Sequence, residues 1–504
     1  LCESWSVSAD GKTYTFKLRK GVKFQSEGWG MDKGAPAESY GAELACKDIK
    51  ASMEWYANPP AGVYPSTAQT MRRYMGHLDN VTCPDGPLGY TAVLNFKYFR
   101  NTTTGYLAAG IQVWNKEYLE WMNAKYPTLQ ANGEAEGYLI NMGTGPWIPT
   151  SADGQRVMKV KKNPNYFRKG APFADGMEFY SISEYNTKFA SLVTGKVQQA
   201  GHGSSGLTKA QVIQIQQSYT DKIELHIVRY NHISHFELNP LRPPFDNWKV
   251  RWAVYLALDR GSWDQFMTAG SVKMASPSFW LHSDVAKAGW GVPVEEYQTY
   301  PGYRQDKKDE DIAEANRLLD EAFGKGVRPK TDQYIRQLLS RREISVWGID
   351  FFKKRLNWEF DVKYVDTYGN VQTECLYTIL AEANPHSNTQ TYIVDPSDAF
   401  NGSHSKWTSN PICAVSGYKT GDKESNWAKG DAMIEELDTS LDQTRRKALV
   451  RELQLYMVNE RATAPGLGTM NVAWANLFEL KGVHYYHLGT YSQQRLTDRL
   501  WLAK

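Results

Sequence analysis

Residues 228–260 constrain the fold more than any other stretch, because an extended run there meets a stop that no regular element can cross. Val228, Tyr230, Ile233, Phe236 and Leu238 are the apolar members of the run. Behind them Pro240, Pro243 and Pro244 remove backbone donors and fix φ, so the strand must end in a bend. Asp246 is placed to cap a following helix, since its carboxylate can accept the free amides of the first turn and offset the positive end of the dipole. Trp248, Arg251, Trp252, Tyr255 and Leu258 then recur at three- and four-residue spacing with Val250, Val254 and Ala257 beside them, which predicts a mostly buried helix.

Strand, bend and helix must be housed in a chain of 504 residues, long enough for two or three domains and a sizeable core. Lys and Arg number 58 against 55 Asp and Glu, a balance that excludes a protein built to coat nucleic acid. No apolar run approaches the roughly 18 residues a membrane span needs. The five cysteines, Cys2, Cys46, Cys83, Cys375 and Cys413, show no C-x-x-C spacing, which leaves a zinc ribbon or a thioredoxin motif without support. Cys46 with Cys83, or Cys375 with Cys413, are the pairs open to an oxidising compartment. The odd count strands at least one thiol, and reduced, structural cysteines are the expectation.

Alternation on either side of Asp10-Gly11 predicts a hairpin from Trp5 and Val7 to Tyr14, Phe16 and Leu18. Residues 46–57 read as a short helix ended by Asn58-Pro59-Pro60, and Val81-Thr82 with Thr91–Phe96 as a second hairpin-like pair. Strands at Val157–Lys161 and Met177–Ile182 precede a helix over 186–194 that stops at Gly195. Further helices are expected at 208–218, 311–323, 346–356 and 431–458, with a strand at 360–365. Strand and helix alternate, so the class is α/β.

The segment P-P-F-D-N-W-K-V-R-W-A-V-Y-L-A-L-D-R, residues 243–260, resembles P-P-F-D-D-x-x-V-R-x-A-[LI]-x-x-A-[IL]-D-R of the extracytoplasmic solute-binding proteins of ABC importers, family 5, which includes dipeptide-, oligopeptide- and nickel-binding members. Gly143-Thr144-Gly145-Pro146-Trp147 is similar to the family's G-T-G-P-[YF] turn, and Asn163-Pro164-Asn165-Tyr166-Phe167 to its N-P-x-Y-[WF]. Asp395-Pro396-Ser397-Asp398 resembles its D-P-D motif, and residues 431–458 its helix pair. The matches run in order over most of the chain. They imply a two-lobe periplasmic-binding-protein-like fold of type II with an inserted third subdomain. The implied domains are 1–30 as the start of lobe I, 31–140 as an inserted α/β subdomain, 141–238 as lobe I continued, 239–473 as lobe II, and 474–504 as the return to lobe I. Crossings are expected near 236–242 and 470–476. The opening Leu1–Phe24 resembles a segment lying tens of residues into the mature family protein, so a signal region before it is expected.

The resemblance implies a binding protein that captures a peptide-like or oligosaccharide-like solute in an interlobe cleft and delivers it to the importer's transmembrane subunits. It would be periplasmic or extracellular, lipid-anchored or free, monomeric, and without cofactor, metal or nucleic-acid partner. Loops and crossings place Trp147, His202, Ser204, Trp280, Tyr392, Asp395, Trp407, Asn471 and Trp474 as ligand contacts, whereas Trp5, Trp55, Trp248 and Trp252 read as core. Peptide binders of the family carry an Asp for the peptide ammonium three or four residues before the D-P dipeptide. Thr391 and Tyr392 stand there instead, neither able to neutralise a cation, which favours a neutral solute unless Asp395 compensates.

Other chemistries have weaker support. Gly201-His202-Gly203-Ser204-Ser205-Gly206 matches G-x-G-x-x-G, but a dinucleotide site wants a buried apolar strand before the first glycine and Lys196–Ala200 is polar and short. A flexible loop opening a helix is preferred, its amides turned to a ligand. His232 and His235 lie three apart in a strand and so face opposite ways, which forbids a shared metal. The rival from another class is a secreted glycosidase using Asp395 and a second carboxylate.

Overall fold

The computed structural model describes residues 1–60, 71–126, 142–153, 156–201, 206–268, 275–276, 279–281, 286–336, 339–365, 375–382, 395–401, 403–404, 423–483 and 498–503. Among them, Leu1–Gln198 and the residues from Leu477 onward form one compact unit, and Gln199–Asn476 form a second.

In the first unit β1 (Cys2–Val7) and β2 (Thr13–Leu18) pair antiparallel about the Asp10-Gly11 turn, Val7 opposite Tyr14. Gly11 takes φ 71, the left-handed region such a turn requires. Helix α1 (Cys46–Ala57) follows, and strands β3 (Leu78–Thr82) and β4 (Thr91–Phe96) complete a four-stranded antiparallel sheet in the order β1-β2-β4-β3. β3 and β4 continue the sheet begun by β1 and β2, and Val22, Phe24, Leu44, Met75 and Leu94 share one core. Asp48 fastens α1: its carboxylate accepts from the Ala45 amide at 2.9 Å and from the Lys116 amide at 2.8 Å, the latter opening α2 (Lys116–Lys125). Burial pushes the Asp48 carboxyl above its ordinary range despite those donors.

The start of α1 also lies beside the end of β3, which brings Cys46 and Cys83 to a Cα separation of 5.8 Å and joins them in a disulfide. Cys375 is disulfide-bonded as well, and Cys2 alone among the described cysteines is free. This overturns the expectation of reduced thiols, since sequence spacing says nothing of which helix end meets which strand end. Cys413 lies outside the described residues. A three-stranded antiparallel sheet of β5 (Trp147–Asp153), β6 (Val157–Lys162) and β7 (Gly176–Tyr180), then α3 (Tyr185–Val193), completes this part of the unit.

The second unit is built on one sheet. Its strands are β8 (Gln199–Ala200), β9 (Ile223–Leu238), β10 (Ala275–Ser276), β11 (Thr331–Arg336), β12 (Phe360–Val365), β13 (Ile379–Glu382) and β14 (Gly466–Leu477), in the order β10-β14-β9-β13-β11-β12 with β8 also on β14. β11 runs parallel to β12 and β13, whereas β13 runs antiparallel to β9. Ser234 to Leu238 are buried on both faces of the sheet, as expected where helices cover each side. The helices that matter below are α4 (Lys209–Ser218), α5 (Trp248–Ala257), α6 (Arg260–Thr268), α7 (Lys308–Phe323), α8 (Leu339–Leu356), α9 (Lys423–Thr439) and α10 (Gln443–Leu455). On α8, Gly348 lets the helix close on the sheet, because a Cβ there would stand 2.4 Å from the Phe236 ring.

The two compact units divide at Gln198–Gln199 and at Asn476–Leu477, that is, at the start of β8 and at the end of β14. One sequence expectation about the organising stretch changes. The cap of α5 is Asn247, whose side chain accepts from the Lys249 amide at 2.9 Å, and not Asp246. Asp246 is held one step back in the bend, its amide donating to the Arg242 carbonyl at 3.0 Å. Buried Arg251 reaches back along the helix and donates to the carbonyls of Phe245, at 2.7 Å, and Arg461, so the bend and helix are clamped as one piece.

Candidate functional site

The glycine-rich loop and the last long strand of the second unit meet. β8 pairs with the end of β14, Ala200 opposite Ala475 and Gln199 opposite Asn476, and the chain then turns at Gly201 with φ +99. A side chain at 201 would strike Trp474, its Cβ 2.7 Å from the indole Cδ1, so glycine is required by conformation and by space. The chain comes back at Leu207, whose amide donates to the Ala473 carbonyl at 2.8 Å, and Thr208 opens α4 with a reciprocal cap to Gln211. Residues 201 and 207 thus flank Trp474, which is 2% exposed. His202 and Ser204, expected as ligand contacts, lie outside the described residues. β8 is a two-residue antiparallel strand, which removes the buried parallel strand a dinucleotide site needs.

Near the same end of the sheet, Asn476 on β14 faces β9. Its Oδ1 lies 2.7 Å from His226 Nε2, and its amide donates to Glu224 at 3.3 Å. Asn471 stands on β14 as well.

Asp395 is occupied. Its Oδ1 accepts from the Ser397 amide at 2.9 Å, from the Ser397 hydroxyl, and from Arg446, a residue 2% exposed on α10. The Ser397 hydroxyl also reaches Asp438 on α9 at 3.2 Å, and the Arg446 Nε donates to the Leu437 carbonyl at 3.0 Å. This carboxylate fixes the helical turn Ser397–Asn401 to the α9–α10 pair. That work leaves it poorly placed to act as a general acid or to meet a ligand ammonium.

The tryptophans fall differently from expectation. Trp280, at φ 60, is 7% exposed and packs with Phe400, Ile434, Leu449 and Leu453. Trp147 opens β5 opposite Lys162 in the first unit, half-buried. Tyr392 and Trp407 lie outside the described residues. Of the four expected in the core, Trp5 is 52% exposed, because β1 is an edge strand with its outer residues uncovered. Trp55, Trp248 and Trp252 are half-buried, the last two stacked with centroids 5.7 Å apart. Among the described residues no three His, Cys, Asp or Glu side chains gather as a metal site.

One polar group escaped sequence reasoning. Glu343 sits in the second turn of α8, within a Ser-Arg-Arg-Glu run that reads as a solvated charge cluster. Burial pushes its carboxyl up to about 7, with only the Lys209 ammonium opposing the shift. The one trace in the sequence is Trp347 four residues on, which shares its helix face.

Comparisons with known proteins bear on what this arrangement does. Residues 1–344 match the model of the bacterial extracellular solute-binding proteins, family 5. The heme-binding protein A of Haemophilus influenzae is 24% identical over 330 residues, 62% of this chain and 53% of that protein. The glutathione-binding protein GsiB of Escherichia coli K12 is 27% identical over 264 residues, 52% of this chain and 43% of that protein. The chain thus spans about half the length of the curated relatives it matches. A dipeptide-binding protein from Pseudoalteromonas sp. SM9913, solved with Met-Leu, superposes with a TM-score of 0.75 at 16% identity over 100% of this chain and 90% of that one, a likeness of fold.

Proposed function

The chain belongs to the bacterial extracellular solute-binding proteins of family 5, and on that footing we propose that it is the binding component of an ABC importer. It captures a peptide-like or oligosaccharide-like solute and hands it to the importer's membrane subunits. The observation that carries this reading is the family match over residues 1–344, which takes in most of the first unit and, in the second, the chain from β8 to the first turns of α8. Two matched relatives are named for a bound solute, glutathione and heme, and neither for a reaction. The Cys46–Cys83 disulfide suits the oxidising side of the membrane, where the protein works as a monomer, free or lipid-held. A glycosidase role for Asp395 is disfavoured by its commitment to Arg446 and Ser397.

The test is thermal denaturation of solute-stripped protein with peptide and oligosaccharide pools. A captured solute at about 100 times its Kd stabilises the fold by about 2.7 kcal/mol, and it is recovered chemically unchanged. A midpoint that no pool moves, or release of a cleaved product, overturns the reading.

A further inference from the structure

We propose that Glu343, backed by the aromatic side chains of Trp347, Trp263 and Phe266, is the group that recognises a protonated amine on the captured solute. The inference rests on the solute-capture reading and adds the charge and chemistry of what is captured.

Four observations converge on this corner of the second unit. First, α8 begins at Leu339, directly after β11 ends at Arg336, and β11 is the middle of three parallel strands. Ligands of open α/β sheets bind outside the carboxyl ends of such strands. Second, Glu343 is partly buried with its carboxylate largely withdrawn from water, and neither a hydrogen bond nor an ion pair compensates it among the described residues. A carboxylate in that condition is costly unless a partner arrives. Third, the wall beside it is aromatic. Trp347 lies four residues along the same helix, Trp263 on α6 meets Trp347 edge-on at 5.5 Å, and Phe266 stacks on Trp263 at 5.8 Å. The Trp263 indole N–H is fully buried and finds no acceptor among the described residues. Fourth, this wall already draws a cation: the Lys209 ammonium at the start of α4 stands 4.2 Å over the Phe266 ring and donates to the Phe266 carbonyl. Lys209 is thereby held by Phe266 rather than by Glu343.

A carboxylate that shares its helix face with an aromatic cluster is complementary to an organic ammonium. A neutral sugar would leave the carboxylate as uncompensated as before, and an anion would be repelled. The motif position carries Thr391 and Tyr392, and Asp395 is taken by Arg446, whereas Glu343 carries no such partner among the described residues. Lys209 is the one charged group acting on it. A bound ammonium therefore favours the ionised carboxylate, so capture near pH 7 releases a proton.

The experiment is native mass spectrometry of the solute-stripped full chain against three equimolar pools: trialanine, triserine and Ala-Phe-Ala; the same peptides N-acetylated; and maltotriose with cellotriose. Wild type should retain free-amine peptides at least tenfold better than acetylated ones, and Glu343→Gln should lose that retention at least tenfold. Calorimetry in phosphate and in Tris at pH 7 should show proton release on trialanine binding in wild type and none in the variant. The acetylation contrast and the proton release in wild type need no variant, so a misfolded Glu343→Gln leaves the proposal exposed to test. Equal retention of acetylated peptides, an unchanged Glu343→Gln, or binding without proton release overturns it. Retention of the sugars alone also overturns it while leaving solute capture intact, and retention of nothing from any pool overturns both.

Discussion

Two carboxylates of the second unit, Asp395 and Glu343, invert what their surroundings in the sequence advertise. Asp395 stands in a recognisable Asp-Pro motif, and its Oδ1 accepts from a buried arginine, a serine hydroxyl and a backbone amide. Glu343 stands in a nondescript charged run, and its oxygens meet no hydrogen-bond or ion-pair partner among the described residues. A motif carboxylate serves the fold when it holds a buried cation and a backbone amide of the same unit, and an unmarked one is open to a ligand when burial has taken much of its water without supplying donors. The difference is energetic before it is functional, and stability measurements reach it first.

The largest effect should come from Asp395→Asn. Arg446 would keep its burial and lose its counter-charge, a change that costs about 3–5 kcal/mol when one partner of a buried pair is removed. Guanidinium denaturation of the solute-free protein measures it, and a loss below about 1 kcal/mol would place Asp395 among groups open to a ligand. Glu343→Gln should move stability the other way. With its carboxyl raised from 4.5 to about 7 in the folded chain, the native state holds more protons than the unfolded one between those values. Its destabilising contribution is therefore absent below pH 4.5, grows as pH rises, and is complete above pH 7, reaching at most about 3 kcal/mol. Glu343→Gln should thus match wild type at pH 4.5 and exceed it at pH 8. Parallel pH profiles for the two proteins would mean that Glu343 is paired in solution.

Between these and smaller effects lies the question of which end of the second unit the solute uses. Gly201→Ala puts a side chain at φ +99 against the Trp474 ring and should cost about 2 kcal/mol by thermal or chemical denaturation. The loop it strains leads to Lys209, eight residues on, and not to the Arg446 network, so solute retention should fall with stability. Retention that survives Gly201→Ala intact would separate the loop from the site at Glu343.

Legibility in the sequence followed how local the governing physics was. The Asp10-Gly11 hairpin, α1 over 46–57, β4 and β12 each rest on a period or a turn contained in fewer than twenty residues, and each stands where its pattern placed it. What failed depended on neighbours far along the chain. The pattern of β1 marks two faces without saying that one stays uncovered, hence Trp5 at 52% exposure. The prolines after Leu238 mark the end of a strand without saying which strands it joins, β13 at His235–Leu238 and β14 on its other side. For Glu343, the decisive neighbours Lys209, Trp263 and Phe266 come from two other helices, and no spacing within Ser340–Glu343 encodes them. The disulfide is of the same kind, joining a helix start to a strand end 37 residues apart.

The smallest effect repeats the contrast of Asp395 and Glu343 at the scale of one helical turn. Asp246 carries the charge that should favour a helix N-terminus, yet Asn247 makes the bond to the Lys249 amide. Geometry decides this over charge: a cap must have extended backbone and sit immediately before the first helical residue, and Asn247, at φ −82 and ψ 120, does both. Asp246 belongs to the preceding turn, where its backbone and not its carboxylate is used, by the Arg242 carbonyl and the Arg251 guanidinium. Asn247→Ala should therefore lose about 1 kcal/mol, and Asp246→Ala no more than the few tenths expected of an exposed carboxylate near a dipole. Equal losses at 246 and 247 would mean that charge outranks position at this helix start, and the same doubt would then extend to reading Asp395 as structural because its bonds are filled.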